Sequence, residues 1–446
     1  MNILVIGASK SGEAAAKLAK KLGNNVLVTE FKPQNEFDEN LINKFQSFGI
    51  NYEFGGHSLD NIANYDLIIV SPGVPRTAEI LKIAQQNHIK IFSEIEFAYQ
   101  HCNNPIIAIT GTNGKTTTTS LIAHILNSSG KKAVVAGNIG IAFSDIVLDI
   151  EPQTIVVLEV SSYQLDRIEK FRPNVAIIMN ITPDHLKYHG TMDDYVETKW
   201  KINSNQIEKD LLILNYDDSY LSNKNKINKS THNVKYFSLT EPVMGAFVRQ
   251  GMIVLKEQHK EEEIMPISQI GIKGQHNVYN SLAAILATRS FEITNENYRS
   301  ALSSFAGVNH RLEFTRELKG IRFYNDSKAT NVNSTWFALN SFDEPIIWIA
   351  GGRGDNNDYS LLDESVKKNV KAIVTIGEEA DNIGRHFAEM KPIYNYETIE
   401  QAIFEAYNLA KEGEIVLFSP ACKSFDMFTN FEHRGDVFKS IVNKLV

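Results

Sequence analysis

Seven consecutive residues, Gly111-Thr112-Asn113-Gly114-Lys115-Thr116-Thr117, have the composition of a loop that wraps phosphate. The glycines permit a tight turn, and Lys115 and Thr116 fall where a helical pattern begins. Unpaired amides and the helix dipole favour an anion at such a place. Lys115 can reach the outer phosphates of a nucleotide, and the Thr116 hydroxyl can ligate magnesium. The chemistry expected is ATP binding. The strict GxxxxGK[ST] pattern is broken, because Ile109 stands at its first glycine and Gly111 takes over the turn.

Magnesium needs further oxygen ligands, and Glu159 closes an apolar stretch at the kind of strand end where open α/β sheets gather ligands. It opens Glu159-Val160-Ser161-Ser162-Tyr163-Gln164-Leu165. A second strand end carries Asn180-Ile181-Thr182-Pro183-Asp184-His185, where His185 suits a metal, a phosphate or a purely structural place. Near the N-terminus, Gly7-Ala8-Ser9-Lys10-Ser11-Gly12 follows a strand. Ser9 replaces the second glycine of the dinucleotide pattern GxGxxG, so no NAD site is expected.

Positioning these residues calls for a parallel sheet. Short β-branched runs at 3–6, 26–29, 67–70, 106–110, 155–159 and 175–180 alternate with helical patterns, and the rhythm restarts at 321–324, 346–350, 372–376 and 415–418. Near-continuous apolarity marks strands buried on both faces, which gives the α/β class. The stretches 223–235 and 256–263 are polar or charged and read as surface excursions or short antiparallel strands. A length of 446 residues suggests more than one core. The segments 99–105 and 307–309 are the expected linkers, giving domains 1–95, 96–307 and 308–446.

The net charge of −8 offers no basic field for nucleic acid. Cys102 and Cys422 make no disulfide framework, the first apolar run is too short for a signal peptide, and no stretch approaches a membrane span. A cytoplasmic protein is expected.

Seven ordered motifs together resemble the Mur ligases, ATP-dependent amino-acid-adding enzymes of peptidoglycan synthesis. They are Thr110 to Thr117, Gly137-Asn138-Ile139-Gly140, Glu159 to Leu165, Asp184-His185, Gly274-Gln275-His276-Asn277, His310-Arg311-Leu312-Glu313 and Asn325-Asp326-Ser327-Lys328-Ala329-Thr330-Asn331. The resemblance spans nearly the whole chain. It implies a Rossmann-like first domain, a central P-loop ATPase-like domain and a Rossmann-like last domain, acting as a monomer. It also implies a carboxylate phosphorylated by ATP and then attacked by an amine, with Lys115 and two magnesium ions near Thr116, Glu159 and His185. By itself Lys199 reads as a surface lysine on a helix. The resemblance instead makes it a carbamylated lysine that helps place the second magnesium. Asn277, Asn280, Arg311 and Asp326 match the family's ATP contacts. Lys10, Ser11, Glu30, Phe31, Lys32, Ser71, Pro72, Gly73, Asn138 and Ser161 are assigned to a UDP-muramoyl substrate.

Within the family, Ser419-Pro420-Ala421-Cys422-Lys423-Ser424-Phe425-Asp426 and Asn430-Phe431-Glu432-His433-Arg434-Gly435 resemble the branch that adds D-glutamate to UDP-N-acetylmuramoyl-L-alanine. There, Lys328, Thr330, Ser424 and Phe431 match contacts to the incoming amino acid. One departure stands out: Asp355 lies where that branch commonly has a basic residue near the glutamate side chain, and Arg353 is the expected substitute. The alternatives are the L-alanine-adding branch, a folylpolyglutamate synthase-like ligase, and a binding module that uses ATP only to change shape.

Overall fold

Three sheets of mostly buried strands organise the chain in this computed structural model, which describes residues 1–221, 233–258, 260–355 and 357–446. Residues 223–232 of the expected polar excursion lie outside the described residues. The chain forms two compact units, one of Met1–Gln269 with Tyr279–Leu302 and one of Ile270–Val278 with Ser303–Val446. No helix among the described residues is long and apolar enough to cross a membrane.

In the first unit, β1 (Asn2–Ile6), β2 (Asn25–Glu30), β3 (Asn51–Phe54), β4 (Leu67–Val70) and β5 (Lys90–Ser93) form a parallel sheet in the order β3-β2-β1-β4-β5. Side chains alternate across a strand, so Ile3 and Val5 enter one apolar layer while Leu4 and Ile6 enter another. That double coverage explains the unbroken apolar runs. The helix Lys10–Lys21 packs Ala14, Ala15, Ala16, Leu18 and Ala19 inward, its alanines admitting a close approach.

A second sheet in the same unit contains β6 (Ile106–Thr110), β7 (Ala133–Gly137), β8 (Ile155–Glu159), β9 (Val175–Ile178), β10 (Leu211–Asn215), β11 (Asn233–Ser238), β12 (Gly245–Arg249), β13 (Met252–Glu257) and β14 (Lys260–Pro266). Its order is β14-β13-β12-β11-β10-β9-β6-β8-β7. The pairs from β7 to β12 are parallel, while β12, β13 and β14 are antiparallel. Residues 256–257 and 260–263 of the charged stretch thus lie in paired antiparallel strands. Residues of the first two sheets share one apolar cluster.

The second unit carries β15 (Glu313–Leu318), β16 (Ile321–Asn325), β17 (Ile346–Gly351), β18 (Val370–Ile376), β19 (Ile393–Asn395) and β20 (Ile415–Phe418), ordered β15-β16-β20-β17-β18-β19. All pairs are parallel except β15 with β16. Ile346 and Trp348 face one apolar layer, Ile347 and Ile349 the other.

Several strands extend a residue or two beyond their expected runs, and one stops short. The run expected over 175–180 stops at Ile178, because Asn180 turns out to hold the phosphate loop. Asn113 N donates to Asn180 Oδ1 at 2.8 Å, and Asn180 Nδ2 donates to Asn113 O at 3.0 Å.

Candidate active site

The phosphate loop joins β6 to the helix Lys115–Ser128, with Gly114 at the N-cap. Gly111 has φ of +143°, and a Cβ there would lie 2.9 Å from Met179 Cβ, so backbone conformation and space both call for glycine. Thr112 is held from two sides. Its hydroxyl donates to Thr182 O at 3.1 Å and pairs with the Tyr195 hydroxyl at 3.0 Å. Lys115 folds over the loop, its Nζ donating to Gly111 O at 2.9 Å and Thr112 O at 2.8 Å. Thr116 and Thr117 are buried in the first helical turn. Asn280 supports the loop from below, its Oδ1 accepting from the Thr118 hydroxyl at 3.1 Å.

Lys199 reaches the same carbonyl. It lies on the helix Met192–Trp200, is 2 % exposed, and its Nζ donates to Gly111 O at 2.8 Å while lying 4.5 Å from the Tyr195 ring centroid. Burial, and then the like charge of Lys115, push its pKa well below the ordinary lysine value against the smaller pull of Asp184.

Glu159 ends β8 and is buried. Its Oε1 accepts from Asn138 Nδ2 at 2.9 Å, whereas its Oε2 is buried without a hydrogen-bond partner. A carboxylate oxygen left without a donor fits a cation. Among the described residues no group of three or more His, Cys, Asp and Glu side chains is arranged as a metal cage. Magnesium would therefore take Glu159 together with hydroxyl, phosphate or water oxygens, as this small ion usually does. His185 sits in the left-handed region (φ +54°) at the N-cap of the helix Leu186–His189, half exposed, with Nε2 3.5 Å from Asp184 Oδ2. Ser161 caps the helix Ser162–Asp166 in a reciprocal capping box with Gln164.

A cavity of about 870 Å³ opens at the carboxyl ends of β1, β2 and β4. Its lining includes Lys10, Ser11, Glu30, Phe31, Lys32, Ser71, Pro72 and Gly73. Glu30 shapes the loops, accepting from Ala8 N at 2.8 Å and Lys32 N at 3.0 Å. Phe31 presents an exposed ring, and Lys10 Nζ donates to Gly140 O.

In the second unit, Asp326 is buried at the end of β16, accepting from Leu312 N at 3.1 Å and the Ser419 hydroxyl at 2.8 Å. Burial pushes its pKa up to about 6. Arg311 Nε is buried without a partner, and Asn277 Nδ2 donates to Lys273 O at 2.7 Å. Lys328 Nζ lies 5.2 Å from the Phe431 ring centroid. Thr330 N donates to Lys328 O at 2.9 Å, and Ser424 is buried. Arg353 is engaged by Glu378 through both carboxylate oxygens, at 2.8 and 3.0 Å.

Sequence reasoning passed over three participants. His57 lines the cavity beside Phe31, and its Nδ1 pairs with the Thr29 hydroxyl at 2.7 Å. No motif surrounds it. His189 lies four residues after His185, the one signal it offered. It is buried, pairs through Nε2 with the Ser162 hydroxyl at 2.9 Å, and has its pKa pushed down to about 4 by burial and then by Arg76. Arg76, following the Ser71-Pro72-Gly73 turn, grips Asp166 through two bonds at 2.7 and 2.8 Å and also reaches Asp194 and the Thr198 hydroxyl.

Comparison with known proteins agrees over three consecutive stretches. Residues 1–93 match the Mur ligase MurD-like N-terminal domain, 109–288 the Mur ligase middle domain, and 310–422 the Mur ligase glutamate ligase domain. The UDP-N-acetylmuramoylalanine–D-glutamate ligase of Salinibacter ruber is 43 % identical over 99 % of this chain and 97 % of its own. That of Koribacter versatilis is 42 % identical with the same coverage. Among solved structures, the MurF ligase of Thermotoga maritima in complex with ADP shares the fold with a TM-score of 0.60 at 17 % identity, covering 94 % of this chain and 95 % of that one.

Proposed function

The chain belongs to the Mur ligase family, and from that premise we propose that it joins D-glutamate to UDP-N-acetylmuramoyl-L-alanine, using ATP, in the synthesis of peptidoglycan precursors. Full-length identity of 43 % to a D-glutamate ligase carries this reading over the L-alanine-adding and folylpolyglutamate-like alternatives. We place the UDP-substrate domain at 1–95, the ATP domain at 96–307 and the amino-acid domain at 308–446, in a cytoplasmic monomer.

The reaction runs in two displacements. A carboxylate oxygen of the alanyl group attacks the γ-phosphorus of ATP, the bond to the bridging oxygen breaks, and ADP leaves. The D-glutamate nitrogen then attacks the acyl carbon, inorganic phosphate departs with its oxygen, and the amine loses a proton as the amide forms. Phosphoryl transfer asks mainly for position and charge neutralisation. The loop 111–117 supplies backbone amides and Lys115 for the phosphates. Asn277, Asn280, Arg311 and Asp326 are the further nucleotide contacts in this reading. The cavity beneath Phe31 receives the uridine diphosphate, with Asn138 and Ser161 toward its muramoyl end.

Magnesium, at two positions involving Thr116, Glu159, His185 and Lys199, would neutralise phosphate charge and orient the oxygens. The unpartnered Glu159 Oε2 supports the first of these. Lys199 suits carbamylation, because a buried amine without its proton can attack the carbon of CO2 and give up a proton to form a carbamate. Lys328, Thr330, Ser424 and Phe431 make up the acceptor side.

Labelling the alanyl carboxylate with 18O tests the sequence of steps. An acyl phosphate leaves one of those oxygens in the released inorganic phosphate; phosphate free of label would rule the mechanism out.

A further inference from the structure

D-Glutamate brings two carboxylates and one amine, and a cation is the strongest hydrogen-bonding partner for a carboxylate. Among the described residues, Lys328, Arg353, Lys423 and Arg434 are the cations around the acceptor contacts, and the structure separates their duties. Arg434 is 1 % exposed and committed to the protein, donating to the Ser327 hydroxyl (3.0 Å), Ser327 O (2.8 Å), Cys422 O (3.0 Å) and Lys423 O (3.2 Å). Lys328 stands beside Phe431 and belongs to the acceptor side proposed for the amino acid. Arg353 and Lys423 are the two cations that remain to face the second carboxylate.

These two residues face each other. Arg353 N donates to Lys423 O and Lys423 N to Arg353 O, each at 2.9 Å, in an isolated antiparallel bridge. Gly352 permits the approach: a Cβ there would lie 2.4 Å from Lys423 O. Arg353 is bound by both oxygens of Glu378, a planar fork whose release breaks two charge-assisted bonds. Lys423 Nζ is bound by one oxygen of Asp355, at 2.9 Å, with both side chains about two-fifths exposed. Its flexible stem makes exchange of one carboxylate for another easy. Its backbone is fixed, because Arg434 ties the Cys422 and Lys423 carbonyls to Ser327, which adjoins Lys328, while Lys423 itself adjoins Ser424.

We propose that Lys423, and not Arg353, is the specificity-determining cation for the second carboxylate of D-glutamate, with Asp355 occupying it as an internal stand-in until the amino acid displaces it. The proposal deepens the D-glutamate reading and rests on it. The acidic residue at 355 then no longer repels the substrate from an otherwise basic site. It is the resting partner of a lysine on the opposite strand of the bridge.

Steady-state kinetics on the full chain, with ATP, UDP-N-acetylmuramoyl-L-alanine and varied D-glutamate, test it. Wild-type turnover that D-glutamate does not stimulate overturns the ligase reading itself, whatever the variants do. Given that stimulation, Lys423→Ala is expected to raise the KM for D-glutamate about 30-fold while leaving the KM for ATP within twofold, and Lys423→Arg to recover most of the loss. Asp355→Ala, which removes the stand-in, is expected to lower the D-glutamate KM about threefold. Arg353→Ala is expected to change it less than threefold. A D-glutamate KM within twofold of wild type in Lys423→Ala, with a larger rise in Arg353→Ala, overturns the assignment. Loss of affinity for ATP and D-glutamate alike in Lys423→Ala, with no recovery in Lys423→Arg, overturns it too, by showing a structural role.

Discussion

Burial lowers the pKa of Lys199 and raises that of Glu94, with different consequences. For Lys199 the shift favours the neutral, nucleophilic form beside the phosphate loop. Replacing it with alanine removes the group that can carry a carbamate, and kcat should fall about 10²–10³-fold, the usual loss when one transition-state contact disappears. Intact mass and bicarbonate dependence check this: full activity in Lys199→Ala, indifferent to bicarbonate, would refute the role. Glu94 begins the helix Glu94–Tyr99, accepts from Ser144 N at 2.6 Å and keeps a buried, unpartnered Oε2. Burial raises its pKa to about 7. The folded protein therefore binds a proton that the unfolded chain releases near 4.5, so this stabilisation is full below that value and fades as pH rises through 7. Glu94→Gln should make the difference in unfolding free energy between pH 5 and pH 8 smaller by about 2.5 kcal/mol. Urea titrations at both values read it, and equal pH dependence in the two proteins would contradict it.

At the scale of elements, Arg76 connects the turn after β4 to the two helices Ser162–Asp166 and Met192–Trp200, the second of which carries Lys199. Asp166 also accepts from the Tyr188 hydroxyl at 3.2 Å; against the opposing effect of its own burial, Arg76 and then Lys201 hold its carboxyl below the usual range. Arg76→Ala should cost about 1–3 kcal/mol, the scale of hydrogen bonds to a charged group. An unchanged urea midpoint would show that the cluster contributes nothing. Arg76 was not legible in the sequence, since its partners lie 90 to 122 positions away and obey no spacing rule. The strand, loop and helix around Gly111 were legible, because apolar run, glycines and helical pattern are all local. β10 was missed although its run LLILN is buried throughout, whereas β14, with the sequence KEEEIMP, and β15, with EFTREL and nowhere fully buried, lie at sheet edges. An edge strand needs no continuous apolar run. Lys199 was found by motif and not by pattern, for a helix face becomes visible only once its neighbours are packed.

For the whole molecule, a net charge of −8 means that anionic substrates are met by local devices and not by a general field. The loop 111–117 and the cavity lined by Lys10 and Lys32 belong to the first unit, and the cations around Ser424 to the second. A ligase assembled from such parts should cleave ATP only when its cosubstrates are present, since idle hydrolysis would discard the acyl phosphate. Phosphate release, measured with ATP, UDP-N-acetylmuramoyl-L-alanine and each amino acid in turn, tests the central claim most directly. D-Glutamate should stimulate release at least tenfold over any other amino acid and over the reaction lacking the UDP-substrate. Equal release with no amino acid, or stimulation by L-alanine and not by D-glutamate, would contradict it.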